Sequence, residues 1–273
     1  MAKIVLITGA SSGIGKKTAL LLAQKGYTVY AGTRDPQKLK DEHHKNLHAI
    51  PLDITNQKDI ADTVKHIIGE HNRIDILINN AGYGLVSTVE EVTEEEMLEQ
   101  FNINVFGVLR ICKSVIPVMR ENTSGIIINI SSFLGKIGLP LLTFYNASKY
   151  AVEGITDSLR YELRDFNIRV HSIMPGFFST NFAKENLIIN KKIADKNSPY
   201  TALISNLAPN IIEQINSGND ASEAAELILK MIEDEKSPAR ATVGDKASKF
   251  IPMRRELSDE DFERRVRDYY NLD

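Results

Sequence analysis

Two rhythms of apolar residues take turns along the chain. The run KIVLIT at 3–8 is apolar almost without a break, the mark of a strand covered on both faces. A 3.6-residue rhythm follows from Gly15 to Lys25 and stops at Gly26. TVYAGT at 28–33 predicts a second strand, and Asp35-Pro36 opens a short helix, with Asp as cap and Pro in the first turn. LHAIPLD at 47–53 predicts a third strand and residues 57–70 a helix. IDILINNAG at 74–82 predicts a fourth strand ending in a loop. Thr93 and Glu96 then form a capping box for a long helix over 93–120. GIIINISS at 125–132, a helix over 143–166 and IRVHSIMPG at 168–176 follow, the last closed by Pro175-Gly176. A helix near 221–234 and a strand around 239–243 complete the series.

Strand and helix thus alternate about six times before a seventh strand. That order predicts an α/β fold, a doubly wound parallel sheet of about seven strands with helices on both faces. No linker, repeat or low-complexity segment divides the chain, so a single domain is expected over 1–250. Its irregular part is 177–220, where Phe177, Phe178, Phe182 and Leu187 mix with Asn, Lys and Ser; such a segment suits a substrate lid. Residues 251–273 form a charged C-terminal extension, expected as a solvated helix or arm.

Composition narrows the function classes. The 273 residues suffice for a sizeable core, and 42% hydrophobic with 25% charged residues is ordinary for a globular protein. A net charge of −3 gives no reason to expect nucleic acid or an anionic membrane as partner. The one cysteine, Cys112, excludes an internal disulfide, suits a reducing compartment and sits among apolar neighbours as an inert buried thiol. The apolar run Ile4 to Ile7 is too short for a signal-peptide core, and no stretch approaches the roughly 18 apolar residues of a membrane span. A cytoplasmic protein is the expectation. Asp41, Glu42, His43 and His44 lack a third ligand at metal-site spacing, so no metal is expected.

The chemistry starts at TGASSGIGKKT, residues 8–18. The loop fails the Walker pattern, because the first glycine would fall on Ala10 and the hydroxyl on Lys17. It fails G-x-G-x-x-G as well, since Thr18 takes the last place. A strand-to-helix turn can carry glycines for its own sake, but glycines there also let backbone approach a pyrophosphate at a helix N-terminus. Three more clusters fall at strand ends: Asn79-Asn80-Ala81-Gly82, Ser131-Ser132 followed by Tyr145-x-x-x-Lys149, and Pro175-Gly176. In a doubly wound sheet those ends are where ligands bind.

With these motifs, in this order, the chain resembles the short-chain dehydrogenase/reductase family, nicotinamide-dependent oxidoreductases with a single Rossmann-type domain. The resemblance covers roughly 3 to 245: Thr8 to Gly15 matches TGxxxGxG at every defined position, NNAG matches residue for residue, and Ser132, Tyr145 and Lys149 match the spacing of the family's catalytic set. The extended branch, with a differently spaced glycine motif and a longer chain, does not match. The resemblance implies cofactor contacts from Gly9, Ser11, Ser12, Gly13, Ile14, Gly15, Asp53, Ile54, Asn80, Ala81, Gly82, Tyr145, Lys149, Pro175, Gly176 and Thr180. It also implies that Asn104, in Asn104-Val105-Phe106-Gly107, anchors a water in a proton relay to Lys149; a structural helix-to-helix bond is the alternative.

Carbonyl reduction needs a hydride on carbon and a proton on oxygen, and the protein must supply the proton. Tyr145 and Lys149 lie one helical turn apart on one face. A free phenol, with a pKa of about 10, is a poor acid–base near neutrality, and a nearby cation lowers it. Tyr145 is therefore the expected general acid/base, with Lys149 the cation that depresses it and Ser132 the holder of the substrate oxygen. After the second strand the sequence reads Thr33-Arg34-Asp35 where an acidic residue would select NAD; Arg34 favours the 2′-phosphate of NADP(H), while Asp35 suits a cap and leaves NAD as the alternative. The expected substrate wall is Tyr83, Leu85, Leu139, Leu141, Leu142 and residues from 177–210, mostly apolar. The reading is an NADP(H)-dependent oxidoreductase interconverting a carbonyl and an alcohol on a steroid-, retinoid- or acyl-lipid-like substrate. An NADP(H)-binding sensor on the same fold and an NAD-dependent alcohol dehydrogenase are the alternatives. The resemblance further implies a homodimer or homotetramer built on the helices at 93–120 and 143–166.

Overall fold

Continuous apolar runs do become the strands of one central sheet. The computed structural model describes residues 2–180, 186–190, 192 and 197–272. The first half of the chain runs β1 (Ile4–Thr8), α1 (Gly13–Gln24), β2 (Thr28–Thr33), β3 (Leu47–Pro51), α2 (Gln57–His71) and β4 (Ile76–Asn79). A short strand β5 (Gly84–Val86) precedes α3 (Glu94–Phe101), α4 (Val108–Glu121), β6 (Gly125–Ile130), α5 (Thr143–Glu162) and β7 (Ile168–Pro175). Then come β8 (Phe178–Ser179), β9 (Leu187–Ile189), α6 (Thr201–Asn216), β10 (Asn219–Asp220), α7 (Ala221–Glu233), β11 (Arg240–Val243), α8 (Asp245–Glu256) and α9 (Asp259–Tyr270).

Seven strands pair in the order β11-β7-β6-β4-β1-β2-β3, every ladder parallel. The chain starts in the middle, winds out to β3, then crosses back to lay β4 beside β1. The order therefore reverses between β1 and β4, and the loops leaving these strands part there to open a crevice. Side chains alternate across the sheet. Leu6, Leu77 and Ile127 face α2, α4 and α5, where Ile60, Ile111, Val115 and Val152 meet them. Val5, Ile7, Ile78 and Ile128 face α1 and α7 through Leu22, Ile228 and Met231. Each such aliphatic side chain contributes on the order of 1.5–3 kcal/mol by leaving water.

Local chemistry explains where helices begin. Asp35 accepts from the Gln37 amide at 3.1 Å and caps a short 3-10 turn. Thr93 and Glu96 exchange the two bonds of a capping box, 3.2 Å and 2.9 Å. The helix expected over 93–120 is not uniform: six residues, Asn102–Gly107, form a π turn between α3 and α4. By length and composition Glu94–Glu121 is apolar enough to cross a membrane, which departs from the expectation. Its apolar side, including Ile111, Cys112, Val115 and Met119, is packed on the sheet, and that burial accounts for the composition.

Residues beyond 177 depart most from expectation. Part of the irregular segment is a regular helix, α6, and β9 pairs with β5 in a second small sheet; Phe182 lies outside the described residues. The extension expected to be solvated is a helical pair with a buried side. Phe250, Ile251, Phe262, Val266 and Tyr270 join Phe133, Phe177, Leu207 and Ile211 in a third apolar cluster. The boundary expected at 250/251 falls within α8. Charge dominates the composition of α9 because only every third or fourth position turns inward.

Candidate active site

The loop after β1 and the loop after β4 are bonded into one unit. The Thr8 hydroxyl accepts from the amides of Asn80 and Ala81, each at 3.0 Å. The Asn80 side chain returns two bonds, to the carbonyls of Thr8 at 3.1 Å and Gly9 at 2.9 Å. Gly9 has φ +65°, and a methyl group on it would lie 2.7 Å from the Ala81 Cα, so only glycine lets the loops approach. Gly15 serves the same packing: a side chain there would meet Asn80 and, at 2.6 Å, the Gly9 carbonyl. Gly15 does not itself line the cleft and acts on the approach of the two loops.

The polar centre sits at the end of β6 and the start of α5. The Ser132 hydroxyl accepts from the Leu134 amide at 3.1 Å, which fixes its rotamer, and it is hydrogen-bonded to the Tyr145 hydroxyl. One turn on, Lys149 is buried; its Nζ donates to the Ile130 carbonyl at 2.8 Å and lies 5.7 Å from the centre of the Tyr145 ring. Burial pushes the Tyr145 hydroxyl up to about 12, and the Ser132 bond only partly offsets it. Burial pushes Lys149 down to about 8, with Glu153 acting in the opposite direction. Among the protein's own groups burial, which raises Tyr145, is the larger effect. The ammonium is spent on a carbonyl.

Asn104 is buried in the π turn and does not line the cleft. Its amide donates to the Tyr83 carbonyl at 2.8 Å and to the Ser148 hydroxyl at 3.0 Å, and its Oδ1 accepts from the Tyr83 amide at 3.0 Å. Both amide hydrogens are committed, so the structural bond weighed from the sequence is present. Ser148 in turn donates to the Tyr145 carbonyl at 2.7 Å, so Asn104 ties the loop after β4 to the helix carrying Tyr145.

A cleft of about 350 Å³ joins these parts. Gly9, Ser11, Ser12, Gly13, Ile14, Arg34, Asp53, Ile54, Asn80, Ala81, Gly82, Ser132, Tyr145, Lys149, Pro175, Gly176 and Thr180 all line it. Of the expected substrate wall, Tyr83 and Leu142 line it, whereas Leu85, Leu139 and Leu141 are buried away from it. Phe177, Phe178, Leu187, Ile188, Ile211 and Ile215 supply the rest of the apolar end. One buried group was not anticipated. Glu153 accepts from the Ser172 hydroxyl, from Arg240 Nε at 2.5 Å and pairs with Lys136 at 3.1 Å. Its position one turn past Lys149 was the available signal. Cys112 is buried, as expected of an inert thiol; burial pushes it up to about 12.

Comparison with known proteins decides the family. The model of the short chain dehydrogenase family matches residues 3–188. This chain belongs to the short-chain dehydrogenase family. It is similar to 3-ketodihydrosphingosine reductase of Bacteroides thetaiotaomicron, 38% identical over 242 residues covering 89% of this chain and 88% of the relative. Among solved structures, a short-chain dehydrogenase from Streptomyces avermitilis superposes with a TM-score of 0.84 at 31% identity, covering 100% of this chain and 97% of that one. ElxO, solved with NADP bound, gives a TM-score of 0.73 at 25% identity, covering 89% and 96%. The protein is a short-chain dehydrogenase/reductase and hence an oxidoreductase.

The residues of this short-chain dehydrogenase fit a dinucleotide. Ser12 precedes α1 without a side-chain cap, and the first turn carries no acidic residue, so the helix N-terminus presents amides toward the cleft. Gly13, at φ +53°, leaves room in which a methyl group would approach Thr180 to 3.4 Å. Arg34 lines the cleft, while Asp35 is engaged as the cap of Gln37 and Thr33 accepts from the Asp35 amide at 3.2 Å. Asp53 has one carboxylate oxygen taken by the amide and hydroxyl of Thr55, at 2.8 and 2.7 Å, which orients the carboxylate at the cleft wall.

Proposed function

We propose that this short-chain dehydrogenase/reductase uses NADP(H) to interconvert a ketone and a secondary alcohol on an apolar, lipid-like substrate, with Tyr145 as the general acid/base. The observation that carries the reading is the hydrogen-bonded Ser132 and Tyr145 hydroxyls, set in one cleft between a dinucleotide cradle and an apolar wall. When bound, the nicotinamide supplies the hydride. Ser132 would hold the substrate oxygen beside Tyr145. Tyr145, kept protonated by burial, would give its proton to the oxygen as charge develops there, and carbon and oxygen then each gain one bond to hydrogen. Lys149 would bind the nicotinamide ribose hydroxyls and return a positive charge beneath the ring of Tyr145.

Arg34, standing where a 2′-phosphate would lie, supports NADP over NAD, and the NADP bound in ElxO agrees with that choice. The apolar wall, with the keto compound in the name of the Bacteroides relative, supports the substrate class. Large apolar side chains left exposed on α3–α4 (Leu98, Phe106, Leu109) and α5 (Tyr150, Tyr161) support association of copies into a dimer or tetramer. The test is NADPH oxidation, followed by absorbance, across ketones from short acyl chains to steroids and long acyl ketones. Turnover that rises with apolar size is expected. Silence across the panel in protein that binds NADPH would favour a nucleotide sensor instead.

A further inference from the structure

The helices after β11 lie beyond the matched 3–188 region, yet they support the walls of the cleft from behind. The entry to α8 is pinned at two places. Gly244, at φ +87°, is so close to Asn219 and Phe178 that a methyl group would lie 3.0 and 3.1 Å from them, and the Asp245 amide donates to Asn219 Oδ1 at 2.9 Å. The Gly176 amide donates to the Val243 carbonyl at 2.8 Å, and a methyl group on Gly176 would meet the Ala247 amide at 3.1 Å. The first turn of α8 is thus seated on the Pro175–Gly176 turn.

A row of rings then carries the contact inward. Phe177, at the cleft wall, meets Phe133 edge-on at 5.1 Å; Phe133 follows Ser132 in the chain and lies 6.3 Å from Phe250 of α8. Phe250 stacks on Tyr270 of α9 at 6.3 Å and meets Tyr269 edge-on at 5.2 Å. Lys249 and Lys246 lie over the Tyr269 ring at 4.2 and 4.7 Å, holding α8 to α9. The far end of α9 closes onto the substrate side, where the Asn206 side chain of α6 donates to the carbonyls of Tyr270, at 3.4 Å, and Asn271. Farther along, α6 presents Ile211 and Ile215 to the cleft.

We propose that α8–α9 is a positioning clamp, which holds the Ser132 loop and the α6 wall at a set separation and thereby makes the enzyme selective for the length of its apolar substrate. One attachment bears on Phe177 and the other on the helix that carries Ile211 and Ile215, all of which line the cleft's apolar end, and one pair of helices joins them. Loss of the α9 attachment loosens α6, which keeps its C-terminal tie through the Asn219 amide to the Phe177 carbonyl at 3.2 Å, and leaves β1, β4, α1 and the cofactor loop untouched. The selectivity rests on the ketone reductase reading above, whereas the mechanical coupling does not.

The experiment uses the full chain, an Asn206→Ala variant and a chain shortened to end at Ser258, which lacks α9. Hydrogen–deuterium exchange reads the coupling directly. Amides of 201–216 should exchange about tenfold faster or more in either variant while those of β6 stay within about twofold. With substrates, kcat/KM for a long-chain ketone should fall about tenfold or more, a short-chain ketone about threefold or less, and NADPH affinity should hold within about twofold. Unchanged exchange in α6, exchange that rises equally throughout the sheet, or equal losses for long and short ketones would each overturn the clamp. If the wild-type protein reduces no ketone, the reductase reading falls, and the exchange result still decides the coupling. If the shortened chain does not fold, Asn206→Ala decides alone.

Discussion

Replacing Glu153 by Gln tests the electrostatics under the candidate active site. Glu153 is 3% exposed, and its carboxylate bonds Ser172, Arg240 and Lys136. Burial by itself would raise its pKa, but these three partners outweigh burial and hold the carboxyl below its usual range. Removing one partner of a buried ion pair costs about 3–5 kcal/mol. Arg240 would keep Asp157 at 2.6 Å, which leaves it half-paired, so the lower end, about 3 kcal/mol, is the expectation. For a chain of this size each kcal/mol moves the melting temperature by about 2 °C, giving a loss of roughly 6 °C.

The pH dependence gives the sharper check. A carboxyl with a depressed folded pKa adds stability that is fully present above its unfolded value of about 4.3 and is lost as pH falls through the folded value. Scanning calorimetry should therefore show wild type and Glu153→Gln about 6 °C apart near pH 7 and converging as pH falls through the folded value. A gap under about 2 °C near neutrality, or one that stays constant into acid, would refute the reasoning.

Three further outcomes follow from the cleft. Tyr145→Phe should lower turnover by about 10²–10⁴-fold while NADPH affinity, by fluorescence titration, changes little; turnover retained within a few-fold would remove Tyr145 from its role. Arg34→Ala should weaken NADPH by about 10–100-fold, the loss of a charge-assisted bond, and NADH far less; equal losses would overturn the 2′-phosphate assignment. Ketone reduction measured as kcat/KM should decline above pH about 8, because burial holds Lys149 there and the ammonium is lost as pH rises through that value. A profile level to about pH 10 would show that the Lys149 charge is immaterial.

The inner strands of the central sheet were readable from sequence because both of their faces are covered. A strand buried on two sides is apolar at nearly every position, and GIIINI at Gly125–Ile130 is buried throughout, with Asn129 bonded to the Thr156 hydroxyl. The same reasoning failed after β7 for a physical cause. There α6, α8 and α9 each give the third cluster only a few side chains spaced along the helix, and none of the three has a continuous apolar run. In α9 only Phe262, Val266 and Tyr270 are buried, at helical spacing amid charges, so composition suggested a solvated arm where periodicity pointed to one buried face. The π turn at Asn102–Gly107 was equally hidden, because helix runs directly into it from α3 and out of it into α4.

The site divides along the same line. Residues with a local signature were legible: Asp35 before Pro36 does cap, and Gly9, Gly13, Ser132, Tyr145 and Lys149, picked out by the resemblance, line one cleft. Properties set by surroundings were not. The Tyr145–Lys149 spacing suggests a cation lowering a phenol, yet the balance depends on where the ammonium is spent, and that partner is the Ile130 carbonyl on another element. Burial then drives the two pKa values apart, one up to about 12 and one down to about 8, so at neutral pH the phenol keeps its proton and the lysine holds its charge narrowly. Glu153 acts to keep that charge in place, and its own ionisation depends on Ser172, Arg240 and Lys136, drawn from β7, β11 and the loop before α5. Spacing along one helix locates the reacting groups, whereas their protonation is a property of the whole junction where the strand ends meet α5.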